Sequence, residues 1–357
     1  MPDTFTKRGS TRAITAEAAG LEELGRAALT GGAPVVRLMS VDPTMTALET
    51  ARLSPTSPTA HAAAEFGRRL ARTHAFCPEG TRVFGQAPAG LRDTSAGLNQ
   101  EPTGLNQEPT RLSEDLTQQD RTTNTRHIIA AMGDAPLPLV PMGSAARNWG
   151  EFYAEDRILP YLPDSLRNRS ISPEGHRIIE QLCEKLRDGT FDSPQPKLVT
   201  ADAALLHGDL WAGNIFWTRN TSDLHERVLM GNHETSHPSA AITSNRESKE
   251  LLETQNISRA ANNRQIANSQ EGTDAVVAVL IDPASQGGHA ESDLAQLTVF
   301  SAPFTERIYN SYHEVSPLAD GWRERISLHQ LHILIVHAAL FGGSYGAQTI
   351  SVARRYV

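Results

Sequence analysis

Cysteine is nearly absent from this chain: only Cys77 and Cys183 occur in 357 residues. A single pair cannot build a disulfide framework. Both sit beside apolar residues in segments of helical pattern, so they read as reduced packing residues, which suits a cytosol. Clusters of positive charge are also missing. Lys and Arg total 33 against 41 Asp and Glu, a formal charge of −8, which argues against nucleic acid or an anionic membrane as the main partner. No apolar run is long enough to span a bilayer; the longest, "HILIVHAALFGG", is short and broken by histidine. The opening "MPDTFTKRGS" has no apolar core of a secretory signal. The expectation is a cytoplasmic globular protein of about two domains, or one two-lobed unit.

Two stretches break the globular pattern. Residues 88–135 are polar and aperiodic and contain a tandem heptad, "GLNQEPT" at 97–103 and again at 104–110. With one Leu per copy beside Gly and Pro it reads as a duplicated loop, not a helical repeat. Residues 218–273 are rich in Asn, Ser and Glu, with too little clustered apolar surface to offset ordering entropy. Both are expected to be flexible insertions. The sequons at Asn220 and Asn256 mean little without secretion.

Clear elements lie between them. Residues 14–29 and 59–75 are Ala-rich and predict helices. "SPEGHRIIEQLCEKLRDG" predicts another, with Ser172 as N-cap, Pro173 in the first position, Ile179, Leu182 and Leu186 on one face and Gly189 past the end. "AVVAVLIDPA" at 275–284 predicts a buried strand ending at Asp282, and the C-terminal third is mostly helical.

The chemistry concentrates in "LLHGDLWAGNIFW", residues 205–217. Apolar flanks place His207, Asp209 and Asn214 in a short loop between buried segments, where an unpaired carboxylate costs several kcal/mol. Phosphoryl transfer needs this combination. An aspartate takes the acceptor hydroxyl's proton, an asparagine five residues on helps hold magnesium, and a second aspartate after a strand completes the metal site. Asp209, Asn214 and Asp282 match that spacing and context. The tripeptide H-G-D alone is a weak signal, because Gly-Asp turns are common; the octapeptide "HGDLWAGN" followed by a strand ending in Asp-Pro is far more specific. Zinc has weaker support, since His207 and Asp209 lack a third ligand and His233 and His237 have no helical frame.

"HGDLWAGN" resembles the signature of the fructosamine kinase (ketosamine 3-kinase) family, a branch of the aminoglycoside-phosphotransferase and protein-kinase-like fold. The resemblance continues in order through "NWGEFYAEDRILPYL", "LIDPASQGGHAESDLAQLTVF" and "GWRERISLHQLHILIVHAALFGGSYG". It implies Asp209 as catalytic base, Asn214 and Asp282 as Mg2+ ligands, and His207 as a scaffold for the loop backbone. It implies Asp293 as an acceptor of loop amides from a helix start, where an ordinary cap is the alternative. Trp211 would wall the sugar pocket, or equally pack in the core, and His289 would approach the substrate.

Near the start, "TFTKRGSTRAITAEAAGLEEL" resembles the family's third strand and following helix. Lys7 would bind phosphate, Glu17 would be its ion-pair partner, and Glu49 in the hinge-like "TMTALETARL" would join the nucleotide site. Taken alone, Lys7 and Glu17 are ordinary surface charges. The first two family strands and their phosphate-covering loop are not found ahead of Lys7. The expected architecture is therefore α+β, protein-kinase-like and two-lobed. A truncated β lobe spans residues 1–50, and a mainly helical catalytic lobe spans 51–357. The expected activity is ATP-dependent phosphorylation of a ketosamine hydroxyl, free or on a lysine, for deglycation. Alternatives are an aminoglycoside or choline-like alcohol kinase, or a catalytically weak binding protein.

Overall fold

The structure, a computed structural model, describes residues 3–91, 127–230 and 275–357. Strand β1 (Thr4–Arg8) leads into helix α1 (Thr11–Leu29), where Ser10 caps the first turn by accepting the Ala13 amide at 3.2 Å. Strands β2 (Val35–Val36), β3 (Leu38–Val41) and β4 (Ala47–Ala51) follow. β4 pairs antiparallel with both β1 and β3, so the first sheet has the order β1–β4–β3. Its register sets Lys7 opposite Leu48 and Thr6 opposite Glu49.

Helix α2 (Ala60–Ala75) is capped by Thr59, which accepts the Ala62 amide at 3.1 Å. After it come the hairpin β5 (Ile128–Met132) and β6 (Ala135–Leu139), then helix α3 (Trp149–Phe152). A π-helical turn over Tyr153–Ile158 and a 3-10 turn over Leu159–Tyr161 lead to α4 (Leu162–Arg167) and α5 (Pro173–Arg187). The last begins as its sequence predicts, with Ser172 accepting the Gly175 amide at 3.1 Å and Pro173 in the first position.

Strands β7 (Ala204–Leu206) and β8 (Ile215–Arg219) enclose the "HGDLWAGN" loop. Helix α6 (Leu224–Arg227), β9 (Val228–Leu229), β10 (Val276–Leu280) and β11 (Gln286–Gly288) follow. The rest is helical: α7 (Ala290–Val299), α8 (Thr305–Val315), α9 (Trp322–His329), α10 (Leu331–Phe341) and α11 (Ser344–Ala353). A second sheet runs β8–β10–β2–β9, and β7 pairs antiparallel with β11.

Two apolar cores carry the fold. One joins Leu24 of α1, Val35 of β2, Phe66 of α2, Ile215, Val279 and Ile308; the other joins Leu137, Trp149, Ile179, Leu328 and Ile335. Each fully buried aliphatic side chain contributes roughly 1.5–3 kcal/mol relative to exposure. The first core contains residues from both sides of position 50, so the expected lobe boundary does not separate two cores. Within it α2 and α8 pack at Gly67, where a Cβ would strike the Ile308 carbonyl.

The edges of both expected insertions prove ordered. Ile128, Ala130 and Met132 of β5 alternate into the core, and Leu224 and Val228 are each only 1% exposed. Their apolar residues are spaced for a short strand and a single helical turn, a pattern hidden inside windows of polar composition. The tandem heptad, His233, His237 and Asn256 lie outside the described residues. Among the described residues no helix is long and apolar enough to cross a membrane.

Candidate active site

The loop after β7 is built on a buried carboxylate. Asp293, in the first turn of α7 and fully buried, accepts the backbone amides of His207 at 2.7 Å and Gly208 at 3.0 Å. Gly208 has φ +84°, and a Cβ there would collide with the Ala284 carbonyl, so glycine is required on both counts. His207 fastens the other side. Its Nε2–H donates to the Ile281 carbonyl at 2.9 Å, which leaves Nδ1 to accept the Asp209 amide at 3.2 Å. One imidazole thus ties the loop to the end of β10, just ahead of Asp282.

Asp209 and Asn214 face each other across the turn. The Asn214 Nδ2 donates to Asp209 Oδ2 at 2.9 Å and to the Asp209 carbonyl at 2.8 Å. Burial pushes the Asp209 carboxyl above its ordinary range, with His207 and Asn214 pulling it back down. Asp282 follows in the left-handed region at φ +52°, an uncommon backbone state for a non-glycine residue. Its Oδ2 lies 3.3 Å from Lys7 Nζ, and Lys7 Nζ lies 2.8 Å from Glu17 Oε2. Burial pushes the Glu17 carboxyl up to about 7, against the pull of Lys7. Burial also works against the Lys7 charge, but Glu17 and Asp282 outweigh it and hold the ammonium above its ordinary value.

The structure therefore brings Lys7, Glu17, His207, Asp209, Asn214, Asp282 and Asp293 together, and leaves two expected residues aside. Glu49 shares a sheet face with Thr6, whereas Lys7 points to the other face with Leu48. The Glu49 carboxylate is taken by Thr6 at 3.3 Å and Ser40 at 3.1 Å, within β4 rather than at a hinge. His289 is buried, caps α7 by accepting the Glu291 amide through Nδ1 at 3.2 Å, and meets Ser193 through Nε2. At 1% exposure, with both ring nitrogens engaged, its imidazole serves as a helix cap in this structure. The cluster His289, Glu291 and His329 resembles a ligand set, but Arg325 binds both oxygens of Glu291, at 2.8 and 2.6 Å. Trp211 is 38% exposed, so it is not a core residue.

Several supporting residues escape sequence reasoning. His74 of α2 reaches Asp293 through Nε2 at 3.2 Å and the Tyr312 hydroxyl through Nδ1 at 2.9 Å. Ser285 Oγ donates to the Leu206 carbonyl at 2.7 Å, and Gln296 Nε2 to the Gly208 carbonyl at 3.3 Å. Arg157, in the π turn, donates through Nε to Gln286 at 3.1 Å, bracing β11 beside β7. No local spacing announces these contacts.

The donors also fit a hard divalent cation. Asn214 spends its Nδ2 on Asp209, and among the described residues its Oδ1 takes no hydrogen bond. Asp282 offers a carboxylate that already attracts an ammonium. Oxygen donors of this kind suit magnesium.

The family model for fructosamine kinase matches residues 139–233 and 260–357, more than half of the chain, and contains the whole "HGDLWAGN" loop. The chain belongs to the fructosamine kinase family. Among its relatives are the ketosamine-3-kinase of Mus musculus, 26% identical over 58% of this chain and 47% of the relative, and a ketoamine kinase candidate of Enterococcus faecium, 26% identical over 59% and 53%. The chloroplastic protein-ribulosamine 3-kinase of Arabidopsis thaliana is 24% identical over 59% of this chain and 45% of its own length. This fructosamine kinase family chain thus spans about half the length of the curated relatives it matches. A fructosamine-3-kinase candidate from Thermobifida fusca superposes with a TM-score of 0.60 at 27% identity, covering 98% of this chain and 84% of that one. A second, from Haemophilus somnus, gives 0.57 at 16% identity and speaks for the α+β fold alone.

Proposed function

We propose that this member of the fructosamine kinase family transfers a phosphoryl group from ATP to a ring hydroxyl of a ketosamine, a fructosamine or ribulosamine, borne by a lysine or a small amine. The observation that carries the reading is the Asp209–Asn214 pair. Asn214 fixes one carboxylate oxygen at 2.9 Å, and the other takes no hydrogen bond among the described residues. In this role Asp209 accepts the proton of the attacking hydroxyl as its oxygen bonds to phosphorus and ADP departs. Burial raises the proton affinity of that carboxylate, which favours a base. Lys7, steadied by Glu17, offers its ammonium to the phosphates, and Asn214 Oδ1 and Asp282 would hold Mg2+. When bound, the metal neutralises phosphate charge. The two cysteines are both free, which is consistent with a reducing compartment such as the cytoplasm.

The test is mass spectrometry of a fructosyl-lysine peptide incubated with protein, ATP and magnesium. The expected product carries one added phosphate on the sugar. Absence of that product, with ATP consumed on another alcohol, would move the assignment to a different acceptor.

A further inference from the structure

Aromatic side chains form a continuous rim that begins two residues after the catalytic base. The Trp211 ring meets Phe300 at 5.6 Å, edge to face, and Phe300 meets His337 at 5.8 Å. His337 in turn meets Phe341 at 5.4 Å and Tyr345 at 4.9 Å. Three of the rings are exposed, Trp211 at 38%, Phe300 at 39% and Phe341 at 66%, and His337 and Tyr345 are half-buried between and beside them. Contiguous exposed rings of this extent mark a binding surface more often than idle apolar residues do. They come from α10, α11, the end of α7 and the catalytic loop, elements that converge only in the fold.

The rim is continuous with the site. Trp211 stands two residues after Asp209 in the same loop and carries the first ring contact of the rim, to Phe300. The His337 Nδ1–H donates to the Ile333 carbonyl at 2.8 Å, so in the neutral ring Nε2 is the acceptor that remains for a ligand.

Resting on the ketosamine reading, we propose that Phe300, His337, Phe341 and Tyr345 form a carrier subsite, which takes the protonated secondary amine and the aliphatic stem that bear the sugar. The argument is one of reach. With the sugar's 3-hydroxyl at Asp209, the amine nitrogen lies about four bonds away, roughly 5 Å, so the carrier must leave past Trp211 and over the next rings. A secondary alkylamine is cationic near neutral pH, and aromatic faces attract a cation while their area covers the alkyl stem. Beside the rings, His337 turns its Nδ1 to the Ile333 carbonyl and leaves Nε2 toward the carrier's amine.

The experiment measures binding by calorimetry for two ketosamines with the same sugar. One is fructosyl on the Nε of a blocked lysine, and the other is 1-amino-1-deoxyfructose, which has no stem. Proteins are the wild type, Phe300→Leu, Phe341→Ser and the conservative Phe300→Tyr, each checked for native circular dichroism. Both altered positions are exposed, so folding should survive. The lysine-borne ligand should bind about tenfold more weakly to Phe300→Leu and Phe341→Ser, and the stemless ligand, which keeps the ammonium but lacks the stem, should lose several-fold less; Phe300→Tyr should retain affinity. Unchanged binding of the lysine-borne ligand overturns the subsite, as does an equal loss for both ligands. If the wild type binds neither ketosamine, the substrate reading itself has failed and the subsite fails with it.

Discussion

His74 and Asp293, 219 positions apart in the chain, meet in full burial beneath the catalytic loop, with Nε2 3.2 Å from Oδ2. Asp293 already receives two loop amides, and the Tyr312 hydroxyl holds the far nitrogen of His74 at 2.9 Å. His74 therefore orients a carboxylate that in turn holds the backbone ahead of Asp209, the proposed base. His74→Phe removes one donor from a buried charge, so urea denaturation should show a loss of about 1–3 kcal/mol. The turnover number should fall while KM for ATP stays near its value. Unchanged stability and turnover would contradict the arrangement.

Asp209→Asn keeps shape and polarity but removes the proton acceptor. Turnover should fall by about 10²–10⁴, with nucleotide affinity largely retained. Steady-state ADP release and calorimetry check the two halves separately, and near-normal turnover would remove Asp209 from the role of base.

Asp282→Ala should separate from that pattern. Loss of this carboxylate takes away a metal-holding oxygen and one counter-charge of Lys7, so ATP affinity in the presence of magnesium should drop along with turnover. The magnesium dependence of ATP binding in calorimetry is the readout. Equal affinity in variant and wild type places the metal elsewhere.

The Glu17 carboxyl gives stability a pH dependence of definite sign. Its folded value is raised by burial to about 7 from an ordinary value of 4.5, so between these limits the native state binds more protons than the unfolded chain. Stability from this group is fully present below the ordinary value and declines as pH rises toward about 7. Lys7 titrates well above that window and does not reverse the trend. Thermal melts from pH 5 to pH 8 should show a smaller decline for Glu17→Gln than for the wild type. A parallel decline in both would mean that other groups set the slope.

The site was legible where its chemistry is contiguous. "HGDLWAGN" holds His207, Asp209 and Asn214 within eight residues, and a β-branched run stops at Asp282, so one loop and one strand end suffice to read that these side chains gather. What depends on register or depth was not. Glu49 lies one strand position from the face that carries Lys7, and that alternation follows from the pairing of Thr6 with Glu49 rather than from composition. His289 stands in a conspicuous polar block, yet the side chain turns inward to cap its own helix. His74 and Tyr312 are joined by a helix packing that no local pattern encodes, and the aromatic rim is likewise assembled from distant segments. The fold class followed from the family signature. Strand β5, α6 and β9 were missed because short ordered elements are diluted inside polar windows.

Gly208 has a mechanical consequence. Its bare Cα lets the loop lie against the Ala284 carbonyl, and His207 staples the same loop to Ile281, so Asp209 and the turn at Asp282 are fastened to each other. Lys7 reaches that turn only through a half-exposed ion pair at 3.3 Å. Backbone opening should therefore come more easily at β1, an edge strand, than in the loop. Hydrogen exchange should accordingly be slow at the amides of His207 and Gly208 and faster along β1, and adding nucleotide should slow β1 far more than the loop.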